Sequence, residues 1–341
     1  MKGKGRSGMD IDRIGRIFRL AKTGILIFLS LAVQAPTMAQ EEDKYHIRWI
    51  ASYPGEKGEL SSGFGARVSR IVFGKKAREV IKPFNIVAQG QEQFWVLDQG
   101  AGGVFEVKDG QGTLIRALKR TDQQYPSLVG ICRINGGDLL ITDSSLDKVV
   151  RLKNEHLMIF GDSVILDRPT GIACNRTSGE IWVVETGSHQ IARFNSEGQL
   201  IERLGGRGTG PGQFNFPTFI WIDRGGRIYI VDSMNYRIQL FDPEGTFLDS
   251  FGESGDATGY MARPKGIATD SQGHIYVADA LFHAVQIFDP EGRFLYSFGS
   301  QGQGEGEFWM PAGIFVDEQD RIYVADSYNA RVQIFQLEKS D

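Results

Sequence analysis

The chain has 341 residues with 43 glycines, 11 prolines and 11% aromatic side chains, a balance that points to short strands and tight turns rather than long helices. Its formal charge is −4, yet residues 1–39 hold seven Lys/Arg (Lys2, Lys4, Arg6, Arg13, Arg16, Arg19, Lys22) against Asp10 and Asp12, a local +5 that leaves −9 for the rest. An acidic body repels phosphate backbones, so nucleic acid is not expected as a partner.

In chain order, residues 1–39 read first, as a secretory signal. A basic stretch, with Met9 as a second candidate start, precedes the apolar run at residues 24–33 and the small-residue site Thr37-Met38-Ala39, followed by Gln40. The run is about ten residues, too short for a bilayer core that needs roughly 20. Cleavage is expected at Ala39–Gln40, which places the mature chain in the periplasm or outside the cell without membrane insertion. The alternative is an uncleaved N-terminal membrane anchor. No Cys follows the run, so no lipid is expected there. Residues 40–82 carry a strand at residues 46–52. They also carry Val68, Ile71 and Val72 at helical spacing, which predicts a short helix over residues 66–73.

Residues 83–341 repeat one pattern six times. Each unit opens at a proline (Pro83, Pro126, Pro169, Pro217, Pro264, Pro311), at spacings of 43, 43, 48, 47 and 47. An apolar strand, a Gly turn and a second apolar strand follow, and the second strand closes on an acid: Asp98, Asp143, Glu185, Asp232, Asp279 or Asp326. Nine residues later comes an apolar anchor, Val107, Leu152, Phe194, Phe241, Phe288 or Phe335. Fourth strands such as residues 246–251 and 293–298 complete each unit. Four short strands in such a period make one blade, which has two apolar faces and hides them only between neighbours. The expected fold is therefore all-β, a six-bladed β-propeller with four antiparallel strands per blade. The last unit stops after its third strand, so residues 47–51 are expected to pair beside residues 331–335 and close the ring, hiding two strand edges.

Two cysteines, Cys132 and Cys174, lie on first strands. Aligning Gly130 with Gly171 sets them one register step apart. Because successive strand residues face opposite sides of a sheet, the thiols are expected to be buried and unbonded, although export permits a disulfide.

The turns Asp232-Ser-Met-Asn-Tyr-Arg-Ile238 and Asp326-Ser-Tyr-Asn-Ala-Arg-Val332, with Gly-rich lead-ins at residues 205–214 and 299–308, resemble the NHL repeat family. The resemblance covers residues 45–336 and is weakest in the first three units, where Gly102, Asp147 and Ser188-His189 stand in the turn. It implies a six-bladed propeller, a fold that hosts binding proteins and enzymes alike.

The candidate chemistry is sparse. The Gly-rich stretches lack both G-x-G-x-x-G before a helix and Gly-Lys-Ser/Thr, and read as blade crossings. The six repeated acids read as turn acceptors, with Asp232 pairing Arg237 and Asp326 pairing Arg331. His189 and His283 occupy the family's turn position and His274 the opposite end, so no zinc set is expected. No G-x-S-x-G or H-E-x-x-H is present. Four units have Gly near the start of strand one (Gly130, Gly171, Gly266, Gly313), whereas Phe219 and Asn85 replace it elsewhere, and Trp221 follows Phe219 two residues on. Phe219 is thus a candidate pocket wall, against ordinary packing between blades. The functional expectation is a non-catalytic scaffold without cofactor. A protein or peptide partner would dock on the crossing face at Tyr236, Arg237, Tyr328, Arg331 and Phe219. The alternative is a propeller enzyme of the lyase or metal-dependent lactonase type with a site at the central channel mouth.

Overall fold

A strand that is apolar on both faces is buried only if sheets flank it on each side, and a closed ring of sheets supplies that for every unit at once. A computed structural model of the chain describes residues 45–54, 80–115, 127–154, 156–161 and 164–339. Blade 1 holds β2 (Pro83–Gly90), β3 (Gln93–Asp98), β4 (Gly103–Lys108) and β5 (Gln111–Ile115); blade 2 holds β6 (Leu128–Arg133), β7 (Leu139–Asp143), β8 (Lys148–Lys153) and β9 (His156–Phe160). Blade 3 has β10 (Pro169–Cys174), β11 (Ile181–Glu185), β12 (Gln190–Phe194) and β13 (Leu200–Gly205); blade 4 has β14 (Pro217–Ile222), β15 (Ile228–Asp232), β16 (Arg237–Phe241) and β17 (Phe247–Phe251). Blade 5 comprises β18 (Pro264–Thr269), β19 (Ile275–Asp279), β20 (Ala284–Phe288) and β21 (Phe294–Phe298). Blade 6 comprises β22 (Pro311–Val316), β23 (Arg321–Asp326), β24 (Arg331–Lys339) and, from the other end of the chain, β1 (Tyr45–Tyr53). Every neighbouring pair of strands is antiparallel.

The first strands β2, β6, β10, β14, β18 and β22 each touch the next, and β22 touches β2, so they ring one axis. They pass so closely that glycine is required where they abut. A Cβ at Gly171 would lie 2.7 Å from the Thr218 carbonyl oxygen, and one at Gly313 would lie 2.7 Å from the Asn85 Cα. β1 pairs with β24 from Tyr45↔Lys339 to Tyr53↔Val332, with Trp49 opposite Phe335, and the Trp49 indole N–H donates to Gln333 Oε1 at 3.1 Å. The six apolar anchors are all buried between blades.

Two expectations are corrected. The partner of Asp143 at the opening of blade 2 is Leu128, as Pro83 is the partner of Asp98. Counting from Pro126 therefore starts that unit two residues early, because a proline in the lead-in does not mark the register. The second correction concerns the cysteines. Cys132 and Cys174 form a disulfide, with Cα atoms 6.2 Å apart. The expectation placed them on neighbouring first strands, as observed for β6 and β10, but applied to them the parity of a single sheet, whereas these strands belong to adjacent blades. Equivalent residues of successive blades point the same way around the ring. Two side chains meet across a blade interface only from opposite sheet faces, hence an odd number of register steps apart, and one step is the offset of these two. The expected signal at residues 1–39 and the expected helix at residues 66–73 lie outside the described residues.

Candidate binding site in the axial channel

The six repeated acids are all buried and face inward to their own turns. Asp98 accepts the N–H groups of Ile81, Lys82 and Ala101; Asp143 those of Ser145 and Leu146; Asp279 those of Ala262, Arg263 and Leu281. Glu185 takes the Asp167 N–H and the Arg203 guanidinium. Asp232 and Asp326 accept Arg237 Nε and Arg331 Nε at 2.8 Å each, and those two guanidinia also donate to crossing-loop carbonyls, of Gly210 and Gln213 and of Gly304 and Glu307. Burial raises the Asp326 carboxyl above its ordinary value. His189 and His283 share one structural job: each Nδ1 accepts the N–H of the residue before the next blade's proline, Phe216 and Met310.

The five residues expected on the crossing face separate. Tyr328 is 55% exposed, stands 5.8 Å from the Trp309 ring and lies under Lys82 Nζ at 5.7 Å. Tyr236 is half-buried at the corresponding turn, and Arg237 and Arg331 are tied to Asp232 and Asp326. Phe219, only 5% exposed, sits on β14 at the axis. Blades 1 and 4 are opposite in a ring of six, so the stack of Phe84 on Phe219, centroids 5.8 Å apart at 30°, spans the axis at the crossing end.

Beyond that stack the channel widens into a cavity of about 240 Å³. Its walls are the first strands: Val87, Ile131, Ile172, Ile267, Ile314, Phe315, Trp221 and the disulfide. Trp221 is fixed on two sides, its N–H donating to Thr269 Oγ1 at 2.9 Å and its ring edge-on to Phe315 at 5.3 Å. The lining continues to the turns after the first strands, through Arg133, Arg176, Asp223, Arg224, Asp317 and Glu318, so the polar rim lies at the end opposite the crossings.

The rim acids are mostly engaged within their own blades. Asp223 accepts the Tyr229 hydroxyl at 3.2 Å, and burial together with Asp223 pushes that phenol up to about 12. Asp317 accepts Tyr323 Oη at 3.0 Å and Arg321 Nε at 2.7 Å, and burial raises Tyr323 well above its usual range. The cations reach across the ring. Arg176 of blade 3 binds Glu318 of blade 6 at 2.6 Å, and Arg224 of blade 4 binds the Asp317 carbonyl and Asp320 Oδ1 of blade 6 at 3.2 Å each. Arg133 has no carboxylate partner among the described residues; its guanidinium lies 5.4 Å from the Trp95 centroid, and its Nε is buried with no acceptor. Sequence reasoning singled out Phe219 and Trp221 and missed the rim. The signal was the column seven residues after each opening residue, which reads Gly90, Asn135, Arg176, Arg224, Ser271 and Glu318 and varies where the structural columns do not. Among the described residues no three His, Cys, Asp or Glu side chains are grouped as a metal would need.

A family model described as a 6-bladed beta-propeller matches residues 162–251 and 265–341. The chain is a six-bladed β-propeller. No curated protein matches it in sequence. Solved propellers match in fold. Virginiamycin B lyase from Staphylococcus aureus is 14% identical with a TM-score of 0.55, over 76% of this chain and 96% of that one. An auxiliary nutrient binding protein from Bacteroides ovatus is 14% identical with a TM-score of 0.59, over 86% and 77%. A gluconolactonase from Xanthomonas campestris is 14% identical with a TM-score of 0.57, over 76% and 88%. At these identities the likeness concerns the propeller and not its chemistry.

Proposed function

We propose that this propeller is an exported, non-catalytic binding protein of the cell envelope whose ligand seats in the axial cavity. The observation that carries the reading is the cavity itself, lined by apolar side chains together with Asn85 and Thr269 and charged at its rim, with Asp223 and Asp317 held by hydrogen bonds of their own blades. Pockets of this composition bury an apolar body and orient it with a few polar groups. The nutrient-binding description of the Bacteroides ovatus propeller supports the reading at the level of architecture. Export rests on the basic, apolar and small-residue sequence of residues 1–39. The test is a thermal-shift screen of small molecules on protein purified from the envelope fraction, with N-terminal sequencing of the same protein. The expected result is a hit that raises Tm for the wild type and not for Trp221→Ala, on a chain beginning at Gln40. Turnover of the hit would replace this reading with the lyase or lactonase alternative.

A second reading keeps the crossing face as a dock for a protein or peptide, and the exposed Tyr328–Trp309 pair favours it. Arg237, Arg331 and Phe219 drop out of that surface, since their side chains are committed to the turn acids and to the axis. Capture from envelope extract by wild type, lost with Tyr328→Ala and retained with Glu244→Ala, would support it. Loss only with Glu244→Ala would move the dock to the other face.

A further inference from the structure

Arg133 is the anomaly of the cavity. A guanidinium presents five donors, stays charged throughout the physiological range and is costly to bury without acceptors. Every other cation on the rim has found one: Arg176 has Glu318, and Arg224 has Asp320 and the Asp317 carbonyl. Arg133 instead lies against the Trp95 face at the edge of the cavity, its Nε buried and unsatisfied, with no carboxylate among the described residues. A guanidinium held on an aromatic plane is pre-oriented, and its fork matches a carboxylate in two parallel hydrogen bonds. Trp221 and Phe315, which share the cavity, present apolar rings immobilised by Thr269 and by each other.

We propose that the axial cavity binds a small organic carboxylate with an apolar, ring-sized body, the carboxylate on Arg133 and the body against Trp221 and Phe315. The proposal rests on the cavity being a ligand site and adds the chemistry of its ligand. A volume of about 240 Å³ limits the body to one or two rings. The rim already displays the recognition in miniature, because Glu318 places a carboxylate on Arg176 across the mouth at 2.6 Å. That pair is 55% and 70% exposed, so it contributes little to stability and parts readily to admit a molecule.

The experiment is titration calorimetry with two probes of equal shape, indole-3-acetate and indole-3-acetamide, on the full propeller. Wild type is expected to bind the acid more tightly than the amide by about tenfold or more, the discrimination of a charge-assisted hydrogen bond. Arg133→Met, which keeps an unbranched apolar stem on Trp95, is expected to equalise the two. Arg133→Lys, which keeps the charge and loses the fork, should retain part of the preference, and it serves if the Met variant does not fold. Trp221→Ala should weaken acid and amide together. Equal binding of both probes by wild type overturns the carboxylate assignment and leaves the cavity as a ligand site. An acid preference unchanged in both Arg133 variants also overturns it. Binding of neither probe, or binding insensitive to Trp221→Ala, overturns the assignment together with the reading beneath it.

Discussion

Lys265 follows Pro264 on β18, and burial with Arg263 nearby lowers its ammonium to about 8 from the usual 10.5. Between those values the unfolded chain holds a proton that the folded chain has released. Lys265 therefore costs stability below pH 8, and that cost is relieved as pH rises from 8 to 10.5. Urea midpoints of wild type and Lys265→Met across pH 7–10.5 are expected to differ most at pH 7, with the variant more stable, and to converge above pH 10. His274 carries the opposite sign. Its hydrogen bond to Asp270 raises its value above 6.5, so its contribution is full below that pH and is lost as pH rises through the folded value. His274→Gln should flatten that decline in the same series. For Cys132 and Cys174, the protein denatured without reductant should show no titratable thiol. The loop closed spans 42 residues, and Cys132→Ala/Cys174→Ala is expected to lower stability by about 4 kcal/mol in the chain-entropy account.

At the scale of elements, the acids and anchors that mark the repeat fold as their spacing requires, because each column does the same job in every blade. Phe194, Phe241, Phe288 and Phe335 are buried at one register, and Asp232 and Asp326 hold the same set of Asn, Arg and Gln partners. The disulfide was misread rather than hidden: the one-step offset of Cys132 and Cys174, which separates side chains within one sheet, is the offset that brings them together between two facing sheets. The rim was illegible for a different reason: Arg176 and Glu318 meet only because six blades place blade 3 opposite blade 6, a relation that no local window contains. The closing strand was legible from a unit that lacks its fourth strand. Deleting residues 45–53 removes the pairing of β1 with β24 and unroofs the outer edge of blade 6. We expect Tm to fall by at least ~10 °C, with loss of a single cooperative transition; a truncated chain that melts with the full one would show that the closure carries no stability.

For the molecule as a whole, the axis is spanned at one end by an aromatic stack and at the other by ion pairs, one dry and one wet. Phe219→Ala removes the stack, and by analogy with other buried aromatic truncations should cost about 3–5 kcal/mol. The tighter strand contacts at Gly171, which faces the Phe219 Cα, should leave the backbone there in place. Guanidinium unfolding of the two proteins measures it, and an unchanged midpoint would mean the stack fills space without holding the ring. The sixth sheet has a different kind of consequence. His46 and Glu338 meet across 292 residues of chain, so the sheet that seals the ring waits for β24, the last strand described, to be made. A polypeptide halted anywhere before Arg331 leaves β1 without the strand it pairs with, its backbone donors and acceptors bare to any protease or any other unpaired edge. Closure thus ties the protection of the first strand to the synthesis of β24, and a chain ending before Arg331 is expected to be cut within residues 45–53 in limited proteolysis that spares the full chain.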